Sequence, residues 1–382
     1  MDTYGFTAPG YARVAEAFAR NLTDHGEVGA AFAAYRDGEP VVDLWGGLAD
    51  RAGRRPWQED TLQLVFSGAK GLVAACVLLL VERGLLDLDA PAAAYWPEFA
   101  AAGKDRVTVA EIMSHQARLP GVQAPFSTAQ LLDAPFMAGL LAAQQPSPDP
   151  RAAFTYHALT YGWLAGELVR RTDGRDVGDF FAEEFAAPLG LEVWLGLPDA
   201  LHSRAATTHA GPGLLAAPGE PPSGDALRDL TRNPLLAAGA QEVWNSAAFR
   251  RSAPAAVSAF GTARSLARFY ACLALGGELD GVRVLRQSTV DLGRRELRRG
   301  TEGLWGTPMA YGVGFELHTE LGLFGPAPDA FGHAGAGGSR HGAWPAHRVG
   351  FSYATNHIRA DQPDRRPLDL LAALHTAVLA AA

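Results

Sequence analysis

A hydroxyl and an amine three residues apart, Ser67 and Lys70, stand at the head of an apolar run from Leu72 to Val81. At helical spacing, residues i and i+3 share a face and meet across one turn, so this pair sets an alcohol beside a base. Serine is a weak nucleophile until a neighbour takes its proton. A lysine does so only when burial and nearby positive charge lower its pKa. The apolar run supplies the burial, and the helix start presents free backbone N–H groups to a developing negative charge. The pattern S-x-x-K therefore offers a nucleophile, a base and part of an oxyanion site. It also recurs by chance as an ordinary helix start with a capping serine, so partners elsewhere in the chain must decide its meaning.

The surrounding pattern supplies elements to position such a pair. Val14, Phe18 and Leu22 recur at helical spacing over Tyr11 to Leu22. Strand-like runs from Ala30 to Tyr35 and Pro40 to Trp45 flank the hairpin signal Asp37-Gly38. The Ser67 helix is expected to run to about Arg83, with Gly84 as its cap. Thr108 and Glu111 form a capping box for a short helix that ends at Ser114-His115, where His115 reads as a loop anchor. Three prolines between Gln144 and Pro150 demand an extended connector. Helices are then expected through Arg171, from Asp176 to Ala187 and from Leu266 to Leu275. The Gly/Pro-rich stretch from Thr208 to Asp225 reads as a surface loop or lid. Tyr311 to Glu316 and Val349 to Asn356 read as strands, and a helix from Pro367 to Ala381 closes the chain. Strands, many helices, then strands and a helix describe an α+β fold. Its antiparallel sheet is flanked by helices and built from both chain ends, with a mainly helical lobe inserted. The 382 residues are read as one catalytic unit with lobes 1–60 plus 265–382, and 61–264.

Composition narrows the function. A formal charge of −8 argues against a nucleic-acid partner, whose phosphates need a basic surface. The arginines at 294, 295, 298 and 299 read as a solvated helix face. Cys76 and Cys272 are the only cysteines and sit in apolar patterns, as small core residues rather than a disulfide. Met1 to Pro9 has no secretory pattern, and the longest uncharged apolar run, Gly71 to Val81, is too short to span a bilayer, so a cytoplasmic protein without membrane contact is expected. His333, His341 and His347 are irregularly spaced, which disfavours a metal. Gly335, Gly337 and Gly338 precede strand residues rather than a helix, which disfavours a dinucleotide loop. No cofactor is expected.

Three motifs then agree. Ser67-Gly68-Ala69-Lys70, Tyr156-His157-Ala158 and His333-Ala334-Gly335 together resemble the signature of the serine β-lactamase and penicillin-binding protein superfamily. The likeness is to the class C β-lactamase-like esterases, the family VIII carboxylesterases. It extends through Tyr156 to Gly162, Gly261 to Arg264, Phe331 to Ser339 and Gly350 to Asn356. The resemblance implies that Ser67 is acylated, that Lys70 is its base, and that Tyr156, at a helix start, is a second proton carrier with a pKa brought down by the adjacent ammonium. It implies an oxyanion site between the Ser67 and Ala336 N–H groups, with His333 and Gly335 on the substrate side.

Two departures bear on substrate. Ala158 stands where β-lactam-processing relatives have an asparagine that binds the acyl amide. His333-Ala334 replaces Lys-Thr, turning a fixed charge into a titratable imidazole. Esters need less amide recognition and less leaving-group protonation than amides. The implied activity is hydrolysis of a small-molecule ester or acyl donor. A transacylase passing the acyl group to an amine or alcohol acceptor is the alternative, and β-lactamase or D-amino-acid peptidase action ranks lower. A non-enzymatic binding module with a dead site is disfavoured because serine, lysine and tyrosine are all present. Oligomeric state is not legible.

Overall fold

The computed structural model describes residues 2–217, 221–252, 254–360 and 363–381. Its main element is a ten-stranded sheet whose neighbours are antiparallel. Along the sheet the strands run Thr3–Thr7, Glu39–Asp50, Gly29–Arg36, Val349–Thr355, Arg340–Trp344, Phe331–Ala334, Glu316–Leu317, Pro308–Tyr311 and Arg298–Thr301, with Arg55–Pro56 paired to Glu39–Asp50. The two chain ends meet where Gly29–Arg36 pairs with Val349–Thr355, in the register Phe32 to Tyr353. This is the α+β architecture expected.

Each face of the sheet is covered for a reason visible in its side chains. On one face, helices Ala12–Thr23 and Arg365–Ala380 pack together, and Val14, Phe18 and Leu374 join Phe32, Leu44 and Phe351 in one core. On the other, helix Ala263–Ala274 lies close to the strands because the facing residues are small: Ala33, Ala263, Ala267, Ala271 and Ala354. A Cβ on Gly350 would sit 2.1 Å from the Ala271 nitrogen, so only glycine permits that approach. Thr262 caps this helix by accepting from the Ser265 N–H.

Helix Ala69–Glu82 is apolar on every side, and its residues from Ala69 to Leu80 are all buried, as a helix without a polar face must be. It packs against helix Thr160–Asp173. Arg83 is its cap, and Gly84 beyond it takes the left-handed conformation. Cys76 and Cys272 are buried and unbridged.

Several expectations need correction. The run Tyr311 to Glu316 is not one strand. Gly314 adopts φ +76° and the Gly312 N–H donates to the Phe315 carbonyl, so the chain folds back and Tyr311 pairs with Glu316. The arginine cluster is not a helix face: Arg294 ends helix Gln287–Arg294, while Arg298 and Arg299 lie on the sheet's edge strand. The helix expected from Asp176 to Ala187 is present and continues to Leu189, but it passes through a π-helical turn over Ala182–Ala186. The segment read as a surface loop or lid is largely irregular chain held to its neighbours: the Ala216 N–H donates to the Leu236 carbonyl, and Asp225 caps helix Ala226–Leu230 and pairs with Arg151. Residues 218–220 of that segment lie outside the described residues. Among the described residues no helix is long and apolar enough to cross a membrane.

Candidate active site

Ser67 lies in a 3₁₀ turn, Phe66–Gly68, that runs directly into helix Ala69–Glu82. Phe66 holds φ +46°, an unusual backbone for a bulky residue, and its ring packs edge-on against Trp244 at 5.3 Å. That packing over-determines the bend from which the serine projects. His341, on the strand beneath, sits so close to Gly68 that a Cβ there would be 2.5 Å from its ring.

Lys70 Nζ is 2.9 Å from Ser67 Oγ, 2.9 Å from the Ala158 carbonyl and 3.0 Å from the Ala256 carbonyl. Carbonyls only accept, so they hold two N–H bonds of the amine. In the neutral amine the remaining position is a lone pair directed at the serine hydroxyl. Burial pushes the Lys70 pKa down to about 7, and the Glu316 carboxylate opposes the shift. The expectation of nearby positive charge is corrected here: desolvation does the work. Gly162 makes the arrangement fit, because a Cβ on it would be 2.1 Å from the Ala256 nitrogen.

Tyr156 comes from the loop before helix Thr160–Asp173 rather than from the helix itself. Its ring is 4.9 Å from Lys70 Nζ, and its hydroxyl interacts with Ser67. Rings of His115, Tyr311, Trp305 and His333 surround it at 4.8, 6.3, 5.5 and 6.1 Å. The phenol pKa is raised well above its usual value, first by burial and then by Glu316, with the Ser67 interaction opposing. The lowering of the phenol pKa expected from the adjacent ammonium is corrected here: burial raises it, and so enclosed a ring keeps its proton in the free protein. His115 acts as the anchor expected of it, its Nδ1 accepting from the His157 N–H at 3.1 Å. His157 Nε2 accepts from the Leu119 N–H at 3.2 Å, which leaves its Nδ1 to donate to the Thr155 carbonyl.

The third segment forms the opposite wall. His333 is fully buried, and its Nδ1 is 2.8 Å from the Ala334 carbonyl. Burial and the charge on Lys70 hold the imidazole well below its ordinary pKa. It is thus a neutral side chain at physiological pH, not the titrating charge its type suggests. Gly335 is squeezed against the serine's turn: a Cβ would be 2.1 Å from Ser339 Oγ and 2.3 Å from the Val65 carbonyl oxygen. Among the described residues, neither the Ser67 nor the Ala336 N–H has a backbone acceptor. His333 and His341 are cross-strand partners, while His347 packs against Trp344 and His375. No group of three metal-ligating side chains occurs among the described residues.

The sequence reading missed two buried carboxylates. Glu316 accepts from the Ala334 N–H at 3.2 Å, lies 3.7 Å from His333 Nδ1, and has its pKa raised by burial to about 7. Glu302 accepts from the Tyr156 N–H at 2.8 Å. An acidic residue inside an apolar strand pattern was the available signal for Glu316. Glu302 left none, because its partner is 146 residues away.

A serine beside a desolvated lysine, enclosed by a tyrosine and a glycine-rich strand end on a helix-flanked antiparallel sheet, defines the β-lactamase/transpeptidase class of fold. The Beta-lactamase family model matches residues 14–374, and the chain belongs to that family. It is 35% identical over 371 residues to the esterase/beta-lactamase LipL of Mycobacterium tuberculosis, covering 94% of this chain and 84% of that protein. A family VIII carboxylesterase crystal structure superposes with a TM-score of 0.90 at 37% identity, covering 99% of this chain and all 100% of the other. A penicillin-binding protein homologue from Caulobacter crescentus superposes equally well, with a TM-score of 0.90, 36% identity and coverage of 99% and 100%.

Proposed function

We propose that this chain is a serine esterase that hydrolyses small carboxylic esters through an acyl group on Ser67. The observation that carries the reading is the contact of 2.9 Å between Lys70 Nζ and Ser67 Oγ, in an amine held by two carbonyls and desolvated to a pKa of about 7. The esterase and carboxylesterase names of its relatives point the same way.

In the proposed cycle, Ser67 Oγ attacks the ester carbonyl as neutral Lys70 takes its proton. The carbonyl oxygen becomes an oxyanion between the Ser67 and Ala336 N–H groups. As the C–O bond to the alcohol breaks, the Tyr156 hydroxyl gives its proton to the leaving oxygen, and the Lys70 ammonium restores it. A raised phenol pKa suits this role, since a group that keeps its proton serves as the acid. Water then attacks the acyl group by the same steps reversed, releasing the carboxylic acid and Ser67. Neutral His333 lies buried behind the wall that the 335–336 segment presents to the substrate, and adds no charge to it.

Incubation with a fluorophosphonate, followed by intact-mass and peptide measurement, tests the reading: one adduct on Ser67 is expected, and none in Ser67→Ala. An unmodified wild-type protein refutes it and favours a binding module. Partition of the acyl group between water and added amines or alcohols separates hydrolysis from transacylation, and nitrocefin turnover reads β-lactamase action. The cytoplasmic location belongs to the same proposal and is tested by cell fractionation.

A further inference from the structure

Seven of the eight tryptophans are buried or partly buried, but Trp305 is 55% exposed, and its ring lies 5.5 Å from that of Tyr156. Its position is built rather than incidental. Glu302, 1% exposed, accepts from the Tyr156 N–H at 2.8 Å with one carboxylate oxygen. With the other it accepts from the Leu304 and Trp305 N–H groups at 2.9 and 2.7 Å. One buried carboxylate thus ties the proton-carrying tyrosine to the turn that holds the tryptophan, and charge-assisted bonds to three N–H groups make that tie strong. The Gly303 N–H donates to the Phe154 carbonyl at 2.8 Å, and a Cβ on Gly303 would be 2.4 Å from the Arg151 carbonyl oxygen. The turn is therefore docked against the Tyr156 segment with no room between them.

The surroundings are largely apolar, and the Arg298 guanidinium lies over the Phe154 ring at 5.1 Å. Phe154, Met309 and Tyr311 cluster with Tyr156. Arg151, near the turn, is held by Asp149 and Asp225 through its guanidinium. An exposed indole so placed offers a flat apolar face to a ligand at the mouth of the site. In the cycle above, the oxygen that receives the Tyr156 proton belongs to the alcohol, so the group beside Tyr156 is the alcohol half of the ester.

We infer that Trp305 is the wall of a subsite for the leaving alcohol, and that the protein prefers esters of neutral aromatic or bulky apolar alcohols. The inference rests on the reading of Ser67 and Tyr156 as nucleophile and acid. Glu302 acts through Tyr156 and Trp305 as a positioning residue.

The test uses acetates of ethanol, cyclohexylmethanol, benzyl alcohol and 2-naphthylmethanol, alcohols of similar acidity, so that binding rather than leaving-group strength is read. Trp305→Ala is expected to reduce the kcat/KM preference for 2-naphthylmethyl over ethyl acetate by about tenfold, the scale of one aromatic contact. Ethyl acetate turnover serves as the denominator, so that any general effect of the change on Tyr156 divides out of the ratio, and Trp305→Phe should restore part of the preference. An unchanged preference, an equal loss on every ester, or a loss that follows the acyl chain in a series of ethyl esters overturns the subsite. Saturation-transfer NMR with 2-naphthylmethanol on Ser67→Ala protein reads the subsite without chemistry. Signal that disappears in Ser67→Ala/Trp305→Ala supports it, even if the wild-type protein hydrolyses no ester and the functional reading fails. Signal that persists in the double variant overturns the subsite alone.

Discussion

Substituting Gly335 by alanine probes whether the strand end beside Ser67 has to lie where it does. Gly335 has φ −101° and ψ 153°, extended backbone that alanine adopts freely, so the whole cost is collision. The added Cβ lands 2.1 Å from Ser339 Oγ, which can rotate away, and 2.3 Å from the Val65 oxygen, which cannot. That carbonyl accepts from the Gly68 N–H at 3.0 Å, and the Val65 N–H donates to the Ala259 carbonyl at 2.9 Å. Carbon contacts settle near ~3.5 Å, so the strand end or the serine's turn must retreat by about 1 Å. Either movement separates the Ser67 and Ala336 N–H groups. Loss of one oxyanion donor costs about 10²- to 10³-fold in kcat, and overpacking of this kind costs roughly 1–3 kcal/mol of stability. The assay is kcat and KM on p-nitrophenyl acetate beside a thermal melt. A folded variant with kcat reduced about 100-fold and KM little changed is expected. A folded variant with kcat within about threefold of wild type refutes the assignment of the 335–336 backbone to the reaction.

Other outcomes follow from the same geometry. In the proposed cycle the neutral amine is the base, so kcat/KM should fall as pH drops through about 7, where Lys70 gains its proton, and a flat acid limb down to pH 5 would count against Lys70. Glu316→Gln removes the carboxylate that favours the Lys70 ammonium, so the acid limb should move to lower pH; a midpoint that stays or rises contradicts that coupling. Tyr156→Phe should lower kcat by about 10²- to 10⁴-fold on esters of alkyl alcohols, the range for one proton carrier, and less on p-nitrophenyl esters whose leaving group needs little protonation. Steady-state kinetics on both series separates these cases. Arg366 is buried, and its guanidinium binds Glu27, Asp364 and the Gly337 carbonyl at 2.9, 2.7 and 2.8 Å. Arg366→Met leaves two buried carboxylates without that partner and should cost about 3–5 kcal/mol in urea unfolding.

The parts of the site that were legible before the structure are those written in local spacing. Ser67 and Lys70 meet because three residues make one helical turn, and the apolar run behind them foretold the burial that lowers the amine pKa. Tyr156 and the His333 to Ala336 segment were recognised only through resemblance, since they lie 89 and 266 positions beyond Ser67 and nothing in the chain between states that they meet. The glycine-bounded run around Gly314 looked like a bent strand because glycine permits a bend and a reversal equally. The arginine cluster was misassigned because charge alone does not separate an exposed helix from an exposed edge strand.

By itself, the sequence determined the chemical inventory: an alcohol and an amine at the start of a buried helix, a tyrosine, a glycine-rich strand end, and strands at both chain ends to carry them. The protonation of Tyr156 and His333 was decided by tertiary structure alone. Burial among His115, Tyr311 and His333 keeps the Tyr156 phenol protonated, burial and the charge on Lys70 hold His333 neutral, and Glu316 arrives on a strand remote in the chain to oppose the shift on Lys70. Desolvation and Coulomb interaction depend on distance through the folded protein, and distance along the chain does not predict it.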